Sequence, residues 1–243
     1  MSVLPGAYQK NDPRYLGDQR QYDDPKEAFK VVVRCIETLF GDRPISLIDT
    51  ACASGAFLYY ARSRLNVETC VGTEISDEHL EQARKYVPGV EFVLDSLLEP
   101  QHPFGRQFDV CTCLGTLPIF DDIAPILKYL LSLVKNDGAL YLFDIVNDEP
   151  VDMIMRYRRV SAAGAGEWQC AYNVRSRQTF EALVRDTGFD TAIDWIDFEM
   201  PLPIPKTNEP MRTWTMQTEF KTHQIVAGTG QLLNFKVIQI RKR

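Results

Sequence analysis

From Ile45 to Ile145 short apolar runs alternate with segments of helical periodicity, and this restricts the fold more than any other feature of the sequence. Strands are expected at Ile45–Thr50, Glu68–Thr73, Val90–Leu94, Phe108–Leu114 and Ala139–Ile145. Helices are expected between them at Gly55–Leu65, at Asp77–Val87 behind the cap Ser76, and at Ile123–Val134, with the "KNDG" stretch turning into the last of these strands. The strand runs are apolar on both faces, and helices separate them. A doubly wound α/β fold follows, its sheet mostly parallel and covered on both sides. A chain of 243 residues can bury one such core, so one domain is expected.

Another helix precedes the first strand. Asp24 and Pro25 open it, Ala28, Val31, Val32, Cys35, Ile36 and Leu39 recur at helical spacing, and Gly41 closes it. The last third changes character. Ser176 caps the helix "RQTFEALVRDTG", a strand-like run covers Thr191–Phe198, and the prolines of "MPLPIPKTNEP" exclude a regular element. The segments "RTWTMQTEF" and "QLLNFKVIQIRK" alternate as strands do, so the chain is expected to end antiparallel at or near the edge of a seven-stranded sheet.

Composition narrows the function. A net charge of −6 opposes a nucleic-acid partner, whose phosphates need a basic surface, and no apolar run is long enough for a membrane span. The runs "RYRR" (Arg156–Arg159) and "RKR" are read as solvated surface. Cys35, Cys52, Cys70, Cys111, Cys113 and Cys170 lie mostly in apolar segments without zinc-site spacing, and the N-terminus lacks an export signal pattern. Reduced core thiols in a cytoplasmic protein are therefore expected, with no metal.

The stretch "SLIDTACASGAFLYY" passes from strand through a small-residue loop into a helix, the place where a nucleotide-type cofactor meets an α/β sheet. Three acids end the first three strands: Asp49, Glu74 and Asp95. In a doubly wound sheet those ends border the ligand crevice. Glu74 follows Gly55 at the spacing from which an acid reaches a ribose diol.

These residues resemble the class I S-adenosylmethionine-dependent methyltransferases, a Rossmann-like family, over roughly Asp49 to Phe189. The resemblance rests on "IDTACASGAFL", "VGTEISDEHLEQARK", "VEFVLDSLLEP", "FDVCTCLGTLPIFDD" and "LVKNDGALYLFDI", in that order. It implies that Glu74 binds the ribose hydroxyls, that Asp95 meets the adenine amine, and that the loop Ala51, Ala53, Ser54 and Gly55 approaches the methionine moiety. Asp49, Ile75, Ser96, Leu97, Leu114 and Gly115 complete the implied cofactor site. The family usually has glycine where this chain has Ala51 and Ala53. If either position needs φ > 0, alanine costs about 1–2 kcal/mol, against about 8 kcal/mol for micromolar binding. A pyrophosphate would tolerate the methyl groups less, so S-adenosylmethionine is favoured over a dinucleotide.

Methyl transfer needs alignment more than catalytic side chains, but an alcohol acceptor must lose a proton. Asp144, ending "LYLFD", and His223, in the late insertion, are the candidate bases, while His79 and His102 are read as surface residues. The expected function is methyl transfer to a small-molecule hydroxyl. "MRYR…EW…YNVRSRQTFE" and "EPMRTWTMQTE" resemble methyltransferases of bacterial surface-polysaccharide gene clusters, which implies a sugar or sugar-nucleotide acceptor. Residues 147–175 and 201–230 are expected on the substrate side and 1–24 as a lid. A homodimer, a catalytically silent methyltransferase-fold regulator and a nicotinamide-dependent dehydrogenase remain open.

Overall fold

The computed structural model describes residue 16 and residues 20–101, 104–162, 164–198, 213–216, 224–227 and 235–243. Seven strands form one sheet: β1 (Ile45–Thr50), β2 (Val67–Glu74), β3 (Glu91–Leu94), β4 (Phe108–Leu114), β5 (Val134–Asn147), β6 (Thr191–Asp197) and β7 (Phe235–Lys242). Their spatial order is β3-β2-β1-β4-β5-β7-β6. The first five run parallel, while β7 lies antiparallel to both β5 and β6. An eighth piece, Arg175–Ser176, pairs with the end of β5. The chain order reverses at β1, which opens a crevice above the C-terminal ends of β1 and β4.

Among the described residues six α-helices surround the sheet: α1 (Arg20–Asp23), α2 (Glu27–Phe40), α3 (Ala56–Arg64), α4 (Asp77–Tyr86), α5 (Ala124–Ser132) and α6 (Arg177–Asp186). The strands are apolar throughout because alternate residues enter different cores. On β5, Ala139 and Tyr141 pack with α2 and α3, whereas Leu140, Leu142 and Val146 pack with α5 and α6. Side-chain hydroxyls start α4 and α6 as expected, Ser76 accepting from the His79 amide and Ser176 from the Thr179 amide. All six cysteines are free thiols, four of them buried. No helix among the described residues is long and apolar enough to cross a membrane.

Three expectations need correction. The "KNDG" stretch lies inside β5 instead of preceding it: Val134 pairs with Phe108 and Ala139 with Val110, so extra residues bulge out around Asp137, at φ 63°. Helix α2 buries Ala28, Val32, Val33, Ile36 and Phe40, a face turned away from the expected Leu39, which is exposed. Thr213–Met216 pairs with Gln224–Ala227 in a separate two-stranded ribbon and does not join the sheet. The proline-rich stretch at 201–212, His102, His223 and residues 1–15 lie outside the described residues.

Candidate active site

The chain leaves β1 through a tight loop whose alternate residues are left-handed: Ala51 at φ 54°, Ala53 at φ 48° and Gly55 at φ 77°. Both alanines therefore occupy backbone better suited to glycine, at about 1–2 kcal/mol each. Three anchors hold the loop. The Cys52 amide donates to the Thr73 carbonyl at 2.9 Å, the Ala53 amide donates to Glu74 Oε2 at 2.9 Å, and the Tyr22 hydroxyl donates to the Ser54 carbonyl at 2.8 Å. Tyr22 sits on α1 and stacks on Tyr86 of α4 at 5.1 Å, so its hydroxyl ties α1 to the loop. At Gly55 a side chain would meet Phe92 and Val87 at 3.2 Å in addition to the positive φ.

The three strand-end acids are all buried but differently satisfied. Glu74 accepts the Ala53 amide on Oε2 and the Ile75 amide on Oε1, at 2.9 and 2.8 Å. Asp49 accepts the Thr112 hydroxyl at 2.6 Å. Burial raises its pKa to about 7; the Thr112 bond opposes that rise and the Glu74 carboxylate adds to it. Asp95 accepts the Gln101 amide at 2.8 Å and faces the Tyr129 hydroxyl at 3.5 Å.

These groups border a cavity of about 660 Å³ at the ends of β1 to β4. Asp49, Ala51, Ala53, Ser54, Glu74, Ile75, Asp95, Ser96, Leu97, Leu114 and Gly115 line it, and Gly55 shapes the loop from behind. Sequence reading missed Lys26, Phe29, Phe57, His79, Phe120 and Tyr172 on its walls. His79 is buried, not a surface residue as expected, because its position three residues after the Ser76 cap shares the inner face of α4 with Leu80 and Ala83. That spacing was the available signal. Nothing in the local sequence marks Tyr172, which arrives from a distant segment.

Asp144 does not line the cavity. It is 1% exposed, its Oδ1 accepts the Ile145 amide at 2.7 Å, and its Oδ2 has no hydrogen-bond partner. Burial lifts it to about 7, with the Ile145 amide and nearby Arg175 pulling the other way. As a strand-end residue it was expected in the crevice, but strand alternation turns it toward the α5 and α6 side, with Leu142 and Val146. Arg175 instead donates to the carbonyls of Phe120 and Asp121. Asn173 donates to the Phe120 carbonyl at 3.1 Å and to the Asp121 carboxylate at 3.0 Å. Together they clamp the wall that carries Ile119 and Phe120.

The residues fit a nucleoside with a charged tail: the pocket combines an amide-held carboxylate, a cramped small-residue loop and apolar side chains of Ile75, Leu94 and Leu98 that remain solvent-accessible. The family model described as a methyltransferase domain matches residues 20–192. Comparison with curated proteins gives no match. Among solved structures, one chain of the complex between the Haloferax volcanii Trm112 methyltransferase activator and a methyltransferase aligns at 14% identity, over 96% of this chain and 98% of its own, with a TM-score of 0.62. CalS10, an amino pentose methyltransferase from Micromonospora echinaspora bound to S-adenosylmethionine, aligns at 17% identity over 93% of each chain, with a TM-score of 0.53. The Burkholderia thailandensis 1,6-didemethyltoxoflavin-N1-methyltransferase aligns at 16% identity over 93% of this chain and 82% of its own, with a TM-score of 0.54. At these identities the structural likeness establishes the fold, and the family match supplies the rest: the chain belongs to the methyltransferase-domain family, whose methyl donor is S-adenosylmethionine.

Proposed function

We propose that this protein transfers a methyl group from S-adenosylmethionine to a hydroxyl of a small molecule of sugar or sugar-nucleotide type. The observation that carries the cofactor half is the Glu74 carboxylate, whose oxygens are aimed by the amides of Ala53 and Ile75 while it borders the cavity. Each oxygen keeps acceptor capacity for one ribose hydroxyl. Asp95, Ser96 and Leu97 serve the adenine, with Ile75, Leu94 and Leu98 as apolar walls. Ala51, Ala53 and Ser54, with Leu114 and Gly115 of the same cavity, would serve the methionine end.

When bound, the cofactor supplies an activated methyl group. What the chain must supply is a fixed line of approach and an enclosed path. Residues 147–175 contribute Tyr172 to the cavity, and the clamp made by Asn173 and Arg175 fixes the wall that carries Ile119 and Phe120. From the expected lid segment, Tyr22 steadies the Ser54 carbonyl.

An amine acceptor is a second reading. It is favoured by the position of Asp144 outside the cavity, because an amine arrives with a free lone pair and needs alignment alone. CalS10, an amino pentose methyltransferase, is one structural neighbour of that kind.

Two measurements test the proposal. Titration with S-adenosylhomocysteine should give saturable binding that Glu74→Ala weakens. Labelled methyl transfer to panels of sugars, sugar nucleotides and amino sugars should label at least one hydroxyl acceptor. Binding without transfer to any panel member would sink the acceptor class and leave the cofactor assignment standing.

A further inference from the structure

Between Met153 and Val174 the chain folds back on itself as a hairpin arm, paired from Met153–Val174 at its base to Ser161–Gly164 at its tip. Arg156 reaches the Asp121 carboxylate and so ties the arm beside the cavity wall that carries Phe120. Of the ten large apolar side chains exposed among the described residues, five lie on this arm: Ile154, Tyr157, Val160, Trp168 and Tyr172. A two-stranded hairpin gains little stability by itself, so apolar surface concentrated on one points to a ligand.

Two features define that ligand. Tyr172 borders the cavity, and Trp168 lies four residues before it, no more than about 13 Å away along an extended chain. The Arg158 guanidinium lies 4.9 Å from the centroid of the Trp168 ring, and Trp168 still exposes half of its surface. Arg158 and its neighbour Arg159 are exposed and make no salt bridge among the described residues. Asp49, Glu74, Asp95 and Glu99 border the cavity, and the chain carries a net charge of −6. Unpaired cations beside an open aromatic ring, on an otherwise acidic protein, suit an anion that carries a flat ring of its own.

We propose that Arg158 and Trp168 bind the nucleoside diphosphate portion of a sugar-nucleotide acceptor, Arg158 on the phosphates and Trp168 against the base, while the sugar enters past Tyr172. This role rests on the methyl-transfer reading above and deepens it, because it selects a sugar nucleotide over a free sugar. In such a molecule two phosphates separate the sugar from the base, a span of the order of that from Tyr172 to Trp168.

The test uses protein saturated with S-adenosylhomocysteine, so that the cofactor site is filled. The diphosphates of uridine, thymidine and guanosine, and inorganic pyrophosphate, are titrated calorimetrically into wild type, Arg158→Gln and Trp168→Ala, with melting curves to establish folding. At least one nucleoside diphosphate should bind wild type saturably. Its affinity should fall about two- to fivefold in Arg158→Gln and about fivefold or more in Trp168→Ala, whereas pyrophosphate should be weakened by Arg158→Gln alone. S-adenosylhomocysteine affinity, titrated separately, should be the same in all three proteins.

Absence of nucleoside diphosphate binding to wild type would overturn the proposal. So would binding that Trp168→Ala leaves unchanged, since the arm would then take phosphate alone or the nucleotide would sit elsewhere. If light scattering shows that Trp168→Ala splits a dimer while no nucleotide binds, a second copy covers the arm and the proposal is again overturned. Failure of wild type to bind S-adenosylhomocysteine would remove the cofactor reading, and the acceptor proposal with it.

Discussion

The Ala53 amide donates to Oε2 of Glu74 at 2.9 Å, so the last residue of β2 and the left-handed loop after β1 hold each other in place. The carboxylate is aimed before any ligand arrives. The loop, in turn, keeps a conformation that alanine resists, because a buried acceptor on β2 captures its amide.

Replacing Ala53 with glycine should relieve the strain at φ 48°. The gain of about 1–2 kcal/mol is offset in part by the added freedom of glycine in the unfolded chain, about 0.4–1 kcal/mol. Ala53→Gly should therefore melt at the same or a slightly higher temperature and bind S-adenosylhomocysteine at least as well. A tenfold loss of affinity by titration calorimetry would mean that the alanine methyl is itself a contact.

Glu74→Ala should cost about 1.5–3 kcal/mol of S-adenosylhomocysteine binding, the range for hydrogen bonds to a charged group. It also strands the amides of Ala53 and Ile75, so Glu74→Gln, which retains an acceptor oxygen, should lose less. Equal affinity in folded Glu74→Ala would remove Glu74 from the cofactor site.

Asp144 has a folded-state pKa of about 7 against an ordinary 3.8. A carboxyl raised in the folded state binds its proton more tightly there. Its contribution to stability is full below about pH 4 and is lost as pH climbs through 7. Asp144→Asn keeps an acceptor for the Ile145 amide and carries no charge, so it should stabilise clearly less at pH 5 than at pH 8, where the gain is no more than about 4 kcal/mol. Urea unfolding at both pH values reads this out, and an identical difference at the two would show that the carboxyl does not titrate in that window. S-adenosylhomocysteine affinity should not change, since Asp144 is not a wall of the cavity.

Asn173 is buried and has no slack in its bonding: its amide holds the Phe120 carbonyl and the Asp121 carboxylate, and its Oδ1 accepts the Met155 amide at 2.9 Å. Asn173→Ala leaves these groups unsatisfied and should lower stability by roughly 2–4 kcal/mol. A loss under about 0.5 kcal/mol, the range of surface substitutions, would mean that the clamp is replaceable by water.

The sequence alone determined the doubly wound sheet and the strand-end acids Asp49, Glu74 and Asp95 that border the cavity. Those features depend on local periodicity and on strand ends, which fall at the C-terminal edge of a parallel sheet wherever the rest of the chain goes. The two alanines also announced themselves, because a small-residue turn between strand and helix is a short-range event. Tertiary structure alone decided that both alanines are left-handed, since the captured amide of Ala53 depends on how β2 lies beside β1. It turned Asp144 away from the cavity and toward Arg175, a matter of which face of β5 each alternate residue takes. It also brought Lys26, Phe120 and Tyr172 to one cavity from segments nearly 150 residues apart, 26 to 172. No periodicity encodes that meeting, because it is fixed by the packing of whole elements and by the carbonyls that Asn173 and Arg175 hold in place.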